Sequence, residues 1–119
     1  MAISLSIPGH VDHLPVLRAT AASVAARARL TLDQLEDVRL AVDEAASTLL
    51  SGRPPAVEMD IDPAVIPLTV TLTATPAAPI SLEPDGFTWT VIDAMTEAFD
   101  VTTEHDEVSL RMRFAGVAE

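Results

Sequence analysis

Residues 37–50 read DVRLAVDEAASTLL, and this stretch decides the fold class. Its apolar side chains recur at spacings of three and four, which is the period of one face of an α-helix. Thr31 and Gln34 form a capping box before it, because a hydroxyl and an amide at this spacing satisfy unpaired N–H groups at a helix start. Gly52 and the two prolines that follow end the pattern. The sequence therefore predicts a long amphipathic helix that ends near residue 51.

The rest of the chain shows both periods of regular structure. Apolar and polar residues alternate in five segments, which predicts strands with one polar face at 3–7, 57–61, 68–73, 100–103 and 108–114. Helical periods predict further helices over 12–29, capped by Asp12, and over 87–99. The order β-α-α-β-β-α-β-β predicts an α+β fold: a two-layer α/β sandwich with a mixed, mostly antiparallel sheet and three helices on one face.

Composition limits the classes of function. With 119 residues, 49% of them hydrophobic, the chain suffices for one core, so we expect a single domain over 1–119. A formal charge of -11 repels a phosphate backbone, which argues against direct nucleic-acid binding. The chain has no Cys, no apolar run that would span a membrane and no charged region of a signal peptide at its start. We therefore expect a soluble cytoplasmic protein.

The long helix also resembles a known motif. Residues 40–45, LAVDEA, resemble the pattern Leu-Ala-Val-x-Glu-Ala-x-x-Asn-Ala of the anti-sigma factor serine kinases, which are histidine-kinase-like ATPases with a Bergerat fold. The order of elements, residues 31–50 and the run 87–114 extend the resemblance over nearly the whole chain. The resemblance implies one ATPase-like domain of the anti-sigma factor type.

Two positions of this helix correspond to catalytic and metal-binding positions of the family. The resemblance makes Glu44 the general base toward an attacking hydroxyl or water. Thr48 stands where the family has an Asn whose carbonyl oxygen binds Mg²⁺. Mg²⁺ requires near-octahedral oxygen geometry, and a Thr side chain reaches less far than Asn. Thr48 is therefore expected to be a poor metal ligand.

The glycine motifs of the family are also altered. An Asp-x-Gly-x-Gly loop should follow the third strand, but residues 75–84 read TPAAPISLEP and contain three prolines and no glycine. Gly86 alone remains of a later Gly-x-Gly turn, and few residues are left for a lid. Thr48 and Gly86 are thus degenerate cofactor-binding positions. Neither ATP nor Mg²⁺ is expected as a cofactor, except under a kinase alternative.

Several charged residues allow two interpretations. Glu44 is either a catalytic base or an acid on a solvated stripe with Asp37 and Thr48. Arg18 lies off the apolar stripe of the first helix, where the family can carry an Arg that contacts sigma factor and antagonist, and it is otherwise a solvated side chain. Asp37 and Asp43 belong to an acidic face that is either solvated or receives an Arg-rich partner.

Two further groups of residues have structural as well as functional interpretations. His10, Asp12 and His13 crowd a helix start, but two His residues without a further acidic cluster are more typical of a solvated cap than of a metal site. No metal is therefore expected. Trp89 is either a core residue or an anchor for a partner.

The leading hypothesis is an anti-sigma-factor-like regulatory protein that binds a sigma factor or an anti-anti-sigma factor without ATP binding or kinase activity. One alternative is a divergent serine-protein kinase that phosphorylates an anti-anti-sigma factor, with Glu44 as base. Another is a non-catalytic dimerisation or scaffold module, since a homodimer is compatible with the sequence.

Overall fold

The fold is a five-stranded sheet with three helices, as the computed structural model of residues 2–114 describes it. Strand formation follows the period-two alternation, because successive side chains point to opposite faces. The sheet has the order β1-β2-β3-β5-β4. The strands are β1 (Ile3–Pro8), β2 (Ala56–Ile61), β3 (Leu68–Ala74), β4 (Ala98–Glu104) and β5 (Glu107–Phe114).

Every neighbouring pair in the described sheet is antiparallel. The apolar positions of the central strands are fully buried, whereas the threonines between them in β3 are half-buried. The predicted α+β two-layer sandwich is confirmed, and its sheet is antiparallel throughout the described residues.

Three helices bury their apolar stripes in one continuous core with the sheet. They are α1 (Leu14–Ala25), α2 (Leu32–Ser51) and α3 (Phe87–Met95). The largest fully buried side chains come from both layers: Leu17, Val38, Val42, Leu49, Met59, Leu72, Ile92, Leu110 and Met112. Within residues 2–114, no helix has the length and apolar character needed to cross a bilayer.

The sequence predicted the N-terminal cap of α2 correctly and the cap before α1 wrongly. The Thr31 hydroxyl accepts from Gln34 N, and the Gln34 side chain accepts from Thr31 N, so the predicted capping box is confirmed. At the first helix the prediction of Asp12 as the cap was wrong. His10 Nδ1 accepts from Asp12 N over 3.1 Å and caps a short 3₁₀ turn before α1.

The third helix is shorter than predicted. It ends at Met95, and β4 begins at Ala98, so the predicted helix over 87–99 was wrong in its last four residues. Glu97 N donates to Arg113 O over 2.7 Å, which starts the pairing with β5. Phe99 lies opposite Met112 in the sheet. The centroid of its ring lies 4.8 Å from the ring centroid of Trp89. Pairing with β5 satisfies the backbone of residues 98–104, and this tertiary gain decides against a longer helix.

Candidate functional site

Glu44 lies half-buried on α2 and is bonded to the start of α3. The Thr88 hydroxyl donates to Glu44 Oε2 over 3.2 Å. This bond joins two helices, so one carboxylate oxygen of the candidate base is engaged by the protein itself. Sequence reasoning missed Thr88, because a threonine near a helix start carries no pattern that identifies its partner.

Thr48 is buried, with 8% of its surface exposed. Its hydroxyl donates to the backbone carbonyl of Glu44 over 3.0 Å, a bond that threonine commonly makes to the preceding turn of its own helix. The placement of Thr48 on a solvated stripe with Asp37 and Glu44 was therefore wrong. Only the two acids are half-exposed, while the threonine packs below the surface.

The segment between β3 and α3 folds back onto the end of α2. The Gly52 carbonyl accepts from Ala77 N over 2.8 Å and from Ala78 N over 2.9 Å. Ile80 and Leu82 are partly buried against the core. A Cβ on Gly52 would lie 2.6 Å from Ile80 Cγ2, which shows how closely the loop approaches the helix end. The N–H groups of Ala77 and Ala78 thus donate to the protein's own backbone.

Gly86 occupies the N-cap position of α3 with φ -80°, a conformation open to any residue. Its N–H donates to Glu83 O over 2.8 Å, and its carbonyl accepts from Thr90 N over 3.0 Å. The amide of this glycine therefore closes a turn. A phosphate-binding glycine would instead present its N–H to the ligand.

Arg18 and Asp43 form an ion pair between α1 and α2. Arg18 Nε donates to Asp43 Oδ1 over 2.9 Å, and Nη2 lies 2.8 Å from the same oxygen. Both side chains remain more than a third exposed. Sequence reasoning selected both residues separately, and the structure brings them together.

A shallow cavity of about 270 Å³ surrounds this ion pair. Arg39 and Glu36 form a second pair at its edge, with Arg39 Nη1 2.8 Å from Glu36 Oε2. Leu40 lies beside them with 44% of its surface exposed. The α1–α2 face thus combines two ion pairs with an exposed apolar side chain.

Asp37 lies apart from Asp43, on a different side of α2. It lines a second cavity of about 290 Å³ between α2 and the end of α3. The three predicted partner-binding residues therefore divide between two surfaces. Arg18 and Asp43 share the α1–α2 face, and Asp37 faces the α2–α3 cavity.

The side chain of His10, near the chain start, serves as a cap for the backbone, whereas that of His13 makes no capping bond. His10 caps the 3₁₀ turn, and its Nδ1 lies 3.4 Å from Asp12 Oδ2. Among the residues from 2 to 114, no group of three or more His, Asp or Glu side chains is arranged to hold a metal ion.

Comparisons with known proteins bear on this geometry. No protein-family model matches the chain. Two curated proteins from strains of Mycobacterium tuberculosis are similar to it, and both carry the name anti-sigma-F factor RsbW. Each is 28% identical over 107 residues, which cover 88% of this chain and 62% of the relative. The chain thus spans less than two thirds of the length of these relatives.

A solved structure extends the comparison to the fold. It is the crystal structure of the RsbU and RsbW domains of a Mycobacterium tuberculosis protein, which matches 98% of this chain and 32% of that chain with a TM-score of 0.73 and 6% identity. At this identity the likeness concerns the fold alone, and it defines the class: the chain has the histidine-kinase-like ATPase fold. In sequence the chain is also similar to the two proteins named anti-sigma-F factor RsbW. The resemblance found in residues 40–45 is thereby confirmed.

Proposed function

We propose that this chain is a regulatory protein of the anti-sigma factor type that binds a sigma factor or an anti-anti-sigma factor without binding ATP. Its relatives named anti-sigma-F factor RsbW support the regulatory role. The observation that carries the second part is Thr48. Its buried hydroxyl is bonded to the Glu44 carbonyl at the position where the family has its metal-binding Asn.

The loop over residues 75–86 supports the same proposal. It packs against Gly52 through two hydrogen bonds and contains no glycine before Gly86. Residues 75–84 contain no Asp to serve as the adenine-binding acid of the family, and three prolines remove amide donors. Residues 1–119 then act as one domain with a shortened lid and glycine loop, in the cytoplasm, with neither ATP nor Mg²⁺ as cofactor.

The α1–α2 face is the proposed contact with the partner. Arg18 and Asp43 are exposed enough to exchange their ion pair for charged groups of another protein. Leu40 adds an apolar contact at the centre of a charged rim, an arrangement typical of protein interfaces. This surface lies on a different side of α2 from the α2–α3 cavity.

Calorimetric titration of the intact chain with Mg-ATP, followed by pull-down with candidate sigma factors and anti-anti-sigma factors, tests the proposal. We expect no saturable heat with Mg-ATP and stoichiometric capture of one partner without nucleotide. A kinase-type relative that binds ATP serves as the positive control for the calorimetry. Micromolar ATP binding would overturn the nucleotide-independent part, and capture of neither partner class would overturn the regulatory part.

One observation favours the kinase alternative: Glu44 is retained, and the hydrogen bond from Thr88 engages its Oε2. Its other oxygen is therefore available as a base toward a hydroxyl nucleophile. Incubation with labelled ATP and an anti-anti-sigma factor decides this point. Transfer of label that Glu44→Ala abolishes would establish the kinase, whereas the absence of transfer supports the binding protein.

A further inference from the structure

The α2–α3 cavity lies away from the residues that the kinase resemblance singles out. Asp37 is seven residues before Glu44 on α2, which corresponds to about 10 Å along a helix. Thr88 at the start of α3 contacts Glu44, while Met95 at the end of α3 lines the cavity with Asp37. The two helices therefore run antiparallel, and the cavity opens at the end opposite to the glycine turn.

Two carboxylates from different elements line this cavity. Asp37 comes from α2, and Glu97 comes from the turn between α3 and β4. Within residues 2–114, neither side chain takes part in a hydrogen bond or an ion pair. Three other acids on α2 are engaged, since Glu36 pairs with Arg39, Asp43 pairs with Arg18 and Glu44 accepts from Thr88. Asp37 and Glu97 thus leave open acceptors from two different elements at one cavity.

The floor between the carboxylates is apolar. Met95 is half-buried there, and Phe114 is only 2% exposed. The neighbouring polar groups are engaged: the Thr96 hydroxyl donates to Ile92 O over 2.9 Å, and the amide oxygen of Gln34 accepts from Thr31 N. A group that fits this cavity therefore needs an apolar stem and a cationic end.

We propose that this cavity receives an arginine side chain of a protein partner. A guanidinium group presents five N–H donors in a plane, which suits a site with two carboxylates, and its methylene stem suits the thioether and the phenyl ring. The net charge of -11 attracts such a partner. Residues 115–119 of the chain itself, AGVAE, contain no basic side chain and do not supply the cation. The inference rests on the proposed function in that the arginine belongs to the regulatory partner.

The methionine methyl groups of the intact chain give a direct test by NMR. Met95 lines the cavity, and Met59 and Met112 are fully buried elsewhere in the core, so they serve as internal controls. Titration with N-acetyl-arginine amide should produce a saturable shift of the Met95 methyl signal and leave the two buried methyl signals in place. N-acetyl-norleucine amide, which keeps an apolar stem without the cation, should produce no saturable shift.

Substitution of the carboxylates distinguishes this site from general attraction to an acidic surface. Asp37→Asn combined with Glu97→Gln should raise the dissociation constant for N-acetyl-arginine amide about tenfold or abolish saturation, since charge-assisted hydrogen bonds are lost. Asp93→Asn removes one exposed acid from α3 that does not line the cavity, and it should leave the titration unchanged. Unchanged Met59 and Met112 signals verify that each variant folds.

A linear, unsaturated shift of Met95 would overturn the inference, as would an equal response in the double variant. The proposed function fails separately, because this titration contains no sigma factor. Capture of neither a sigma factor nor an anti-anti-sigma factor, with an intact Met95 titration, would contradict the proposed function alone. Full sigma factor capture without a saturable Met95 shift would contradict the arginine site alone.

Discussion

Thr48 changes the chemistry of its position through a single hydrogen bond. The anti-sigma factor serine kinases, which this chain resembles, have an Asn there, whose carbonyl oxygen is a good ligand for Mg²⁺. The Thr48 hydroxyl is directed at the Glu44 carbonyl and lies under the surface. Glu44 itself is bonded to Thr88. In our proposal the two residues that would hold metal and base serve instead to join α2 to its surroundings.

We expect Thr48→Asn to leave the chain without Mg-ATP binding, because the loop over residues 75–86 still packs on Gly52 and residues 75–84 offer no Asp to bind adenine. The substitution should lower the free energy of unfolding by about 1 kcal/mol, since a buried hydroxyl bond is lost. Calorimetric titration and thermal unfolding measure the two effects. Micromolar ATP binding by this variant would show that position 48 alone decides nucleotide binding, contrary to the proposal.

Exchange of the charges of the α1–α2 ion pair separates a structural role from a role in partner binding. Arg18→Asp combined with Asp43→Arg keeps an opposite-charge pair between the helices, so the free energy of unfolding should change by less than about 1 kcal/mol. Affinity for the captured partner should fall about tenfold, because each reversed charge meets a like charge on the partner. Titration of partner into the variant measures this change.

Arg27→Ala is the matched control for the charge exchange, since Arg27 is an exposed arginine just after α1. It should leave partner affinity unchanged. If the exchanged pair binds as tightly as the original, the ion pair acts only within the chain and the proposed contact surface is wrong.

The residues of the candidate site were partly predictable. Periodicity placed Arg18, Asp43, Glu44 and Thr48 on their helices, but it did not indicate which of them meet. Arg18 and Asp43 are 25 residues apart in sequence, and Thr88 is 44 residues from Glu44. Such pairs depend on how helices cross, and the hydrophobic pattern of a single helix does not contain that information.

At the scale of elements, α3 shows where local pattern and tertiary pairing disagree. Residues 87–99 have apolar side chains at helical spacing, which led to a predicted helix of that length. The backbone of Ala98 and Phe99 instead pairs with β5. Phe99 still faces the core and packs against Trp89. The prediction that Phe99 is buried was therefore correct, but the prediction that it is helical was wrong. Trp89 is partly buried in this contact.

The contact between α2 and the loop that follows β3 gives a prediction at the same scale. A Cβ at position 52 would lie 2.6 Å from Ile80 Cγ2 and 2.7 Å from Pro76 Cβ. Gly52→Ala should therefore displace the loop and lower the free energy of unfolding by about 1–3 kcal/mol, as overpacking does in a well-packed core. Chemical denaturation measures the loss.

Gly86→Ala is the control for this contact. The added Cβ would lie 3.1 Å from Glu83 O and 3.5 Å from Glu83 Cβ, and the φ of -80° suits alanine. Its cost should stay below about 1 kcal/mol, the scale of a helix N-cap change. If Gly52→Ala costs no more than Gly86→Ala, the loop is not held against α2 in the way described.

For the whole molecule, the order of all eight elements followed from the sequence, because hydrophobic periods and breaker residues mark each of them. The hairpins β2–β3 and β4–β5 follow from short connections. The pairing of β3 with β5 could not be predicted in this way, because α3 and β4 lie between these strands along the chain. The shared core fixes their register. The relationship to the RsbW proteins agrees with the resemblance that began in α2.

The central claim is that the chain binds its regulatory partner without nucleotide, and one titration tests it most directly. The captured sigma factor or anti-anti-sigma factor is titrated into the nucleotide-free chain, once with a chelator and once with Mg-ATP, and the dissociation constant is measured by calorimetry. The proposal predicts equal dissociation constants under the two conditions, because no interaction with ATP couples to the partner surface. A dissociation constant about tenfold lower with Mg-ATP, or binding only in its presence, would contradict the claim.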